Sequence, residues 1–185
     1  MISRKASLGL LVLLTFVVAA ICCFLPRIPQ PLSYHQFADR RDLFGIPNFG
    51  DVASNLPFAV VGIWSLIFLW RSNSSPAAGN FIERREQWPY LFVFVGLLLA
   101  AFGSSWYHLN PNNSTLVWDR LPMTITFVGM VAAVITERIS LRLGLWLLPI
   151  LLLVGLGSVL QWNWSEMRGA GDLRFYAAVQ AYPAR

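Results

Sequence analysis

Residues 88–108 read WPYLFVFVGLLLAAFGSSWYH, and this stretch decides the fold. It contains no Asp, Glu, Lys or Arg, and most of its side chains are large and apolar. A helix of this length extends about 30 Å, which matches the thickness of the hydrocarbon core of a bilayer. The stretch therefore predicts a helix that crosses a membrane.

Four further apolar blocks flank this stretch, at residues 8–25, 52–70, 114–137 and 143–160. Hydrophobic residues make up 56% of the 185-residue chain and charged residues only 12%. Soluble domains carry about 25% charged residues. We therefore predict an all-α fold, a polytopic transmembrane helical bundle. A sixth block begins near Leu173 but is too short to span a bilayer, so we expect the sequence to be truncated at its C-terminus.

The first apolar block allows two interpretations. Arg4 and Lys5 precede it, as a basic segment precedes the apolar region of a signal peptide. However, the block is close to spanning length and lacks a clear small-x-small cleavage motif. We favour an uncleaved N-terminal anchor helix in residues 1–25, followed by a membrane domain in residues 26–185.

The net charge of +5 comes from basic residues that lie mostly in the loops. Membrane topology and lipid headgroups account for them, and no basic run is interleaved with aromatics, so we predict no nucleic-acid partner. If the N-terminus is cytoplasmic, alternation places the loops at residues 71–87 and 138–142 on the same side. The adjacent Cys22 and Cys23 form neither a disulfide framework nor a zinc motif.

Polar residues cluster where two of the predicted helices meet. Ser104 and His108 are four residues apart and therefore share one helix face. An Asn-Pro-Asn-Asn turn follows, and Ser114 or Thr115 can cap the next helix. Asp119 then lies in the first turns of that helix. A tight turn would return Asp119 to the level of His108, just inside one membrane surface.

This cluster has a catalytic and a structural interpretation. Imidazole is a good zinc ligand, a carboxylate can deprotonate a metal-bound water, and a hydroxyl can stabilise an oxyanion. Alternatively, His108 is an interfacial residue, Asp119 pairs with Arg120 or favours the helix N-terminus, and Ser104 bonds its own helix. One His and one Asp do not complete a zinc site, which normally has three protein ligands.

The loop before the second block also carries oxygen-bearing side chains: Asp39, Asp42, Asn48 and Asp51. These could bind calcium, but their spacing matches no closed calcium loop. A solvated loop in which the acids pair with Arg40 and Arg41 is the competing interpretation. His35 has no ligand-spaced partner, and we interpret it as a surface residue.

At these residues the sequence resembles the alkaline ceramidases, within a superfamily that includes the adiponectin-receptor-like proteins. The family's Ser-x-x-x-His pattern matches Ser104 and His108. Its Asp-x-Leu-Pro-Met context matches residues 119–123, and a Ser-Asn near the start of its first core helix matches residues 54–55. The resemblance covers roughly residues 35–185.

The resemblance implies a seven-helix core around zinc, here preceded by an extra N-terminal helix. It implies zinc-dependent hydrolysis of an amide bond in a membrane lipid such as ceramide, giving a sphingoid base and a fatty acid. His108 would be a zinc ligand, Asp119 the acid/base or orienting carboxylate, and Ser104 a contact of the metal-bound water or oxyanion. Family members also bind calcium before the first core helix, where Asp39, Asp42 and Asn48 lie.

Two departures from the family pattern matter. The family supplies its other zinc ligands as a His-x-x-x-His pair on its last helix, whereas this chain contains only His35 and His108. An Asn also stands where a calcium-binding Glu is expected. The chain is therefore either truncated or an inactive relative. The alternative functions are a non-catalytic receptor-like or scaffold protein and, as a third reading, a small transporter that uses Asp119 as a proton relay.

Overall fold

A computed structural model describes residues 4–37, 39–74 and 81–181. This part of the chain is all-helical and contains no strand. Its helices are α1 (Arg4–Phe24), α2 (Phe49–Ala53), α3 (Leu56–Ser74), α4 (Gln87–Leu109), α5 (Asn113–Arg138), α6 (Leu141–Met167) and α7 (Arg174–Ala181). Short 3-10 turns occupy Leu32–His35 and Arg84–Glu86.

Four helical segments are long and apolar enough to cross a membrane: Phe49–Ser72, Arg84–Leu109, Asn113–Arg138 and Leu141–Met167. The predicted all-α fold is confirmed, and these segments are compatible with an integral membrane protein. In α1 the apolar stretch Val12–Phe24 is shorter than these four. The seven-helix core stays a prediction. The side chains of Arg4 and Lys5 and the chain end at 182–185 lie outside the described residues.

The helices pack in chain order, with α3 against α4, α4 against α5 and α5 against α6. Half of the spanning window of α5 is buried, against less than a third in the other candidate spans, so α5 is the central helix. The short α7 packs on α6 and contacts α1 and α5. One buried cluster unites α4 to α7 at a single end of the bundle, and it contains Tyr107, Leu116, Val159, Trp162 and Tyr176.

Glycines let neighbouring helices approach closely. A Cβ atom built on Gly103 of α4 would lie 1.9 Å from the carbonyl oxygen of Trp118 in α5. A Cβ on Gly144 of α6 would lie 2.1 Å from Thr136 Oγ1. Small residues at such crossings are typical of membrane helices, where close packing drives association. The α4–α5 contact places the end of α4 beside the start of α5.

The cap of α5 differs from the predicted one. Asn112, rather than Ser114 or Thr115, is the N-cap, and its side chain accepts a 3.0 Å hydrogen bond from the Thr115 backbone N–H. The Thr115 hydroxyl in turn accepts a hydrogen bond from the Asn112 N–H at 3.2 Å, which completes a capping box. The helix therefore begins at Asn113, two or three residues earlier than the predicted caps would place it, and side chains fix the turn after α4.

Candidate functional site

Ser104 and Asp119 meet across the α4–α5 contact. Both side chains are buried, and the Ser104 hydroxyl lies close enough to the Asp119 carboxylate to interact with it. His108 lies close enough to interact electrostatically with the same carboxylate. The structure thus brings together the three residues predicted from the sequence. It does so because Gly103 lets α5 pass within contact distance of α4 at this level.

The His108 ring is held in place but retains a free nitrogen. Its face packs on Phe37, with ring centroids 4.5 Å apart. Its backbone carbonyl accepts a 2.8 Å hydrogen bond from Asn48 Nδ2. The Nδ1 atom is buried and has no hydrogen-bond partner among the described residues. A buried polar atom without a partner is uncommon and costly, so this nitrogen is available to a ligand.

Asp51, which the sequence placed among the calcium candidates, lies instead near His108. It lies in α2, and its charge interacts with His108. Its Oδ2 atom is buried without a hydrogen-bond partner in the described part of the chain. The sequence placed Asp51 among the loop carboxylates because nothing in it indicated that α2 packs against α4. Two buried atoms of this region, His108 Nδ1 and Asp51 Oδ2, therefore lack a hydrogen-bond partner among the described residues.

His35 is not the surface residue that we predicted. Its Nδ1 lies 2.9 Å from the Tyr107 hydroxyl, and its Nε2 lies 2.8 Å from Asn113 Oδ1. The ring is half-buried and ties the segment after α1 to the ends of α4 and α5. Both nitrogens are used in these bonds, so His35 is a structural bridge rather than a second metal ligand.

Arg120 forms no salt bridge with Asp119 in the described part of the chain, although the two charges interact. Its guanidinium Cζ lies 4.0 Å from the ring centroid of Trp162 and 4.4 Å from that of Tyr176. Its Nη2 donates a 2.6 Å hydrogen bond to Gln30 Oε1. The Gln30 backbone N–H in turn donates to Glu166 Oε1 at 2.8 Å. Arg120 therefore anchors the segment after α1, and its direct contacts are with Gln30 and the aromatic rings rather than with Asp119.

The calcium candidates are occupied by contacts within the protein. Asp39 pairs with Arg41 at 2.6 Å and accepts a 2.5 Å hydrogen bond from the Gly50 backbone N–H. The Asn48 amide donates to the His108 carbonyl, and Asp42 is exposed. The pairing of loop acids with arginines is thus the arrangement seen for Asp39. The geometry gives the calcium prediction no support.

The Asp39 contacts predict an unusual titration. The hydrogen bond from the Arg41 side chain lowers the pKa of Asp39 from 3.8 to about 2. The carboxylate therefore holds the loop to α2 at any pH above about 4. This stabilisation is lost only as the pH falls through about 2. We expect the Gly50 amide resonance to titrate with a midpoint near pH 2 and to lose this step in Asp39→Asn. A midpoint near 4 would contradict the assignment, and Asp42→Asn serves as the control.

The cluster fits part of a metal site. His108 Nδ1 and Asp51 Oδ2 are the kinds of atom that zinc prefers, and both lack partners. However, the described residues hold no group of three His, Cys, Asp or Glu side chains that could enclose an ion. They therefore provide an incomplete set of ligands.

Comparison with known proteins adds no relative. No protein-family model matches the chain, and neither a curated protein nor a solved structure matches it at a significant level. The resemblance to the alkaline ceramidases therefore stays a prediction that depends on the motif residues.

Proposed function

We propose that the protein is a zinc-dependent intramembrane hydrolase of a lipid amide bond, similar to the ceramidases. The observation that carries the proposal is the buried Nδ1 of His108, which lacks a partner among the described residues and lies near the buried Ser104 and Asp119. Such groups are costly at membrane depth, and they are characteristic of functional sites. The lipid substrate would reach the site from the bilayer.

Each residue has a role that its position supports. His108 would hold the zinc ion, which supplies Lewis-acid chemistry when bound. Asp119 would take a proton from the attacking water and deliver it to the leaving amine nitrogen. Ser104 would orient the Asp119 carboxylate or donate to the oxyanion of the amide. Phe37 and Asn48 would keep the His108 ring in position.

A second candidate is a non-catalytic membrane protein of the same fold, such as a receptor-like or scaffold protein. The incomplete set of ligands within the described residues favours this reading. The two candidates differ in whether the purified protein holds zinc and releases a fatty acid.

Metal analysis of the purified protein tests the ligand assignment. We expect zinc to co-purify with the wild type and to fall to background in His108→Ala, because a ligand nitrogen is removed. His35→Ala is the matched control, since both of its ring nitrogens already bond protein groups. This control should retain zinc. The assignment is wrong if His108→Ala keeps the wild-type zinc content.

Activity separates the hydrolase from the scaffold. With a fluorescent ceramide, Asp119→Asn should retain zinc and lose activity by about 10²–10⁴-fold, the usual contribution of a general acid–base residue. A wild-type protein with neither zinc nor fatty-acid release would support the non-catalytic candidate.

A further inference from the structure

A groove of about 420 Å³ lies between the end of α3 and the start of α4. Gln87 and His108 mark the two ends of α4, so the groove is about 30 Å from the candidate site. Its floor and walls are mainly apolar and aromatic, with Leu66, Trp70, Trp88 and Leu91 among them, and Arg84 and Arg85 also line it.

The lining separates into a charged and an apolar part. Arg84 and Arg85 precede α4 in a 3-10 turn and are exposed. Leu66 and Leu91 lie further along α3 and α4, toward the middle of the spans. Because α3 and α4 are antiparallel neighbours, the charge lies at the membrane edge and the apolar surface extends inward. This arrangement complements an amphiphile with an anionic head.

Two tryptophans indicate the level of the groove in the bilayer. Trp70 near the end of α3 and Trp88 near the start of α4 are both more than half exposed. Exposed Trp side chains mark the headgroup level of a bilayer. The arginines therefore lie at the level of lipid phosphates.

We propose that this groove binds an anionic phospholipid, with the phosphate at Arg84 and Arg85 and one acyl chain along Leu66 and Leu91. Basic pockets between membrane helices recognise anionic headgroups by the same chemistry. The bound lipid would fill the gap between α3 and α4 at this end. The proposal is independent of the hydrolase activity, because the groove shares no residue with the His108 cluster.

Native mass spectrometry of the purified full chain tests this site with phosphatidylglycerol and phosphatidylcholine as probes. We expect phosphatidylglycerol to bind about tenfold or more tightly than phosphatidylcholine. Each arginine at the membrane surface strengthens such binding by about fivefold, so Arg84→Gln/Arg85→Gln should weaken it about 30-fold. Leu91→Trp should also weaken it, because the indole would occupy the path of the acyl chain.

The matched control is Arg138→Gln/Arg142→Gln, which removes two exposed arginines from the same end of the bundle outside the groove. This control should bind phosphatidylglycerol within about threefold of the wild type, since bound lipid makes no contact there. Thermal melting of every variant confirms that it is folded.

Three results would overturn the proposal. If the two double arginine variants lose the same amount of phosphatidylglycerol affinity, the lipid binds to general surface charge rather than to the groove. Equal affinity for the two lipids would show that the arginines do not select an anionic head. If soluble glycerol phosphate competes with an affinity equal to that of phosphatidylglycerol, the site binds phosphate alone and the acyl chain plays no role.

Discussion

Replacing Gly103 with alanine is expected to destabilise the protein by about 3 kcal/mol, the upper part of the range for an overpacked contact. The added methyl group would lie 1.9 Å from the Trp118 carbonyl oxygen and 2.8 Å from its carbonyl carbon. These are backbone atoms in α5, so they cannot turn aside as a side chain could. The two helices must separate at the level where Ser104 meets Asp119.

Denaturation in mixed detergent micelles measures this loss. The matched control is Gly157→Ala in α6, because a Cβ there would meet nothing within 4 Å. Alanine is the better helix former by about 1 kcal/mol, so the control should be as stable as the wild type or slightly more stable. If Gly103→Ala and the wild type unfold at the same denaturant concentration, the close contact between α4 and α5 is incorrect. In the proposed hydrolase, a displacement near 1 Å would also reduce activity by about 100-fold.

Replacing Trp162 with alanine is expected to cost about 3–5 kcal/mol, as for other large core aromatics. Trp162 is fully buried in the cluster shared by α4 to α7. Its ring also covers the guanidinium of Arg120 at 4.0 Å. A desolvated contact of this kind contributes about 2 kcal/mol. The substitution therefore leaves both a cavity and a buried cation without its main aromatic contact.

Trp164→Ala, two residues along the same helix, is the matched control. Trp164 is 52% exposed and lies over Arg168 at 3.9 Å, so its loss should cost less than about 1 kcal/mol. Trp162→Phe isolates the packing contribution, because Trp162 Nε1 has no hydrogen-bond partner among the described residues. This variant should retain most of the stability. Equal losses of unfolding free energy in Trp162→Ala and Trp164→Ala would contradict the buried position of Trp162.

The spanning segments were predictable because a bilayer imposes a single strong requirement. A helix must carry about twenty apolar residues, and the blocks at 88–108 and 114–137 meet it. Their observed bounds, Gln87–Leu109 and Asn113–Arg138, differ by one residue at each end. The α6 helix extends to Met167, beyond the predicted end at residue 160, because Gln161 and Asn163 are polar yet continue the helix.

The cluster of Ser104, His108 and Asp119 was predictable because helical spacing and a short turn determine its geometry. The contacts of Asp51, His35 and Gln30 could not be predicted from the sequence. These residues lie in an irregular segment, a 3-10 turn or the short helix α2, where no periodicity indicates which surface a side chain will meet. Their partners are distant in the sequence, as in the bond between His35 and Asn113, which are 78 residues apart.

The anchoring of the segment after α1 also determines the order of assembly. Gln30 bonds Glu166, which lies 136 residues later, and the Ile28 carbonyl accepts a 2.8 Å hydrogen bond from the Leu173 N–H. A ribosome delivers α3, α4 and α5 to the membrane before either of these later partners exists. Membrane helices insert first and pack afterwards. The contacts that anchor this segment beside His108 thus form only after Glu166 and Leu173 have been synthesised.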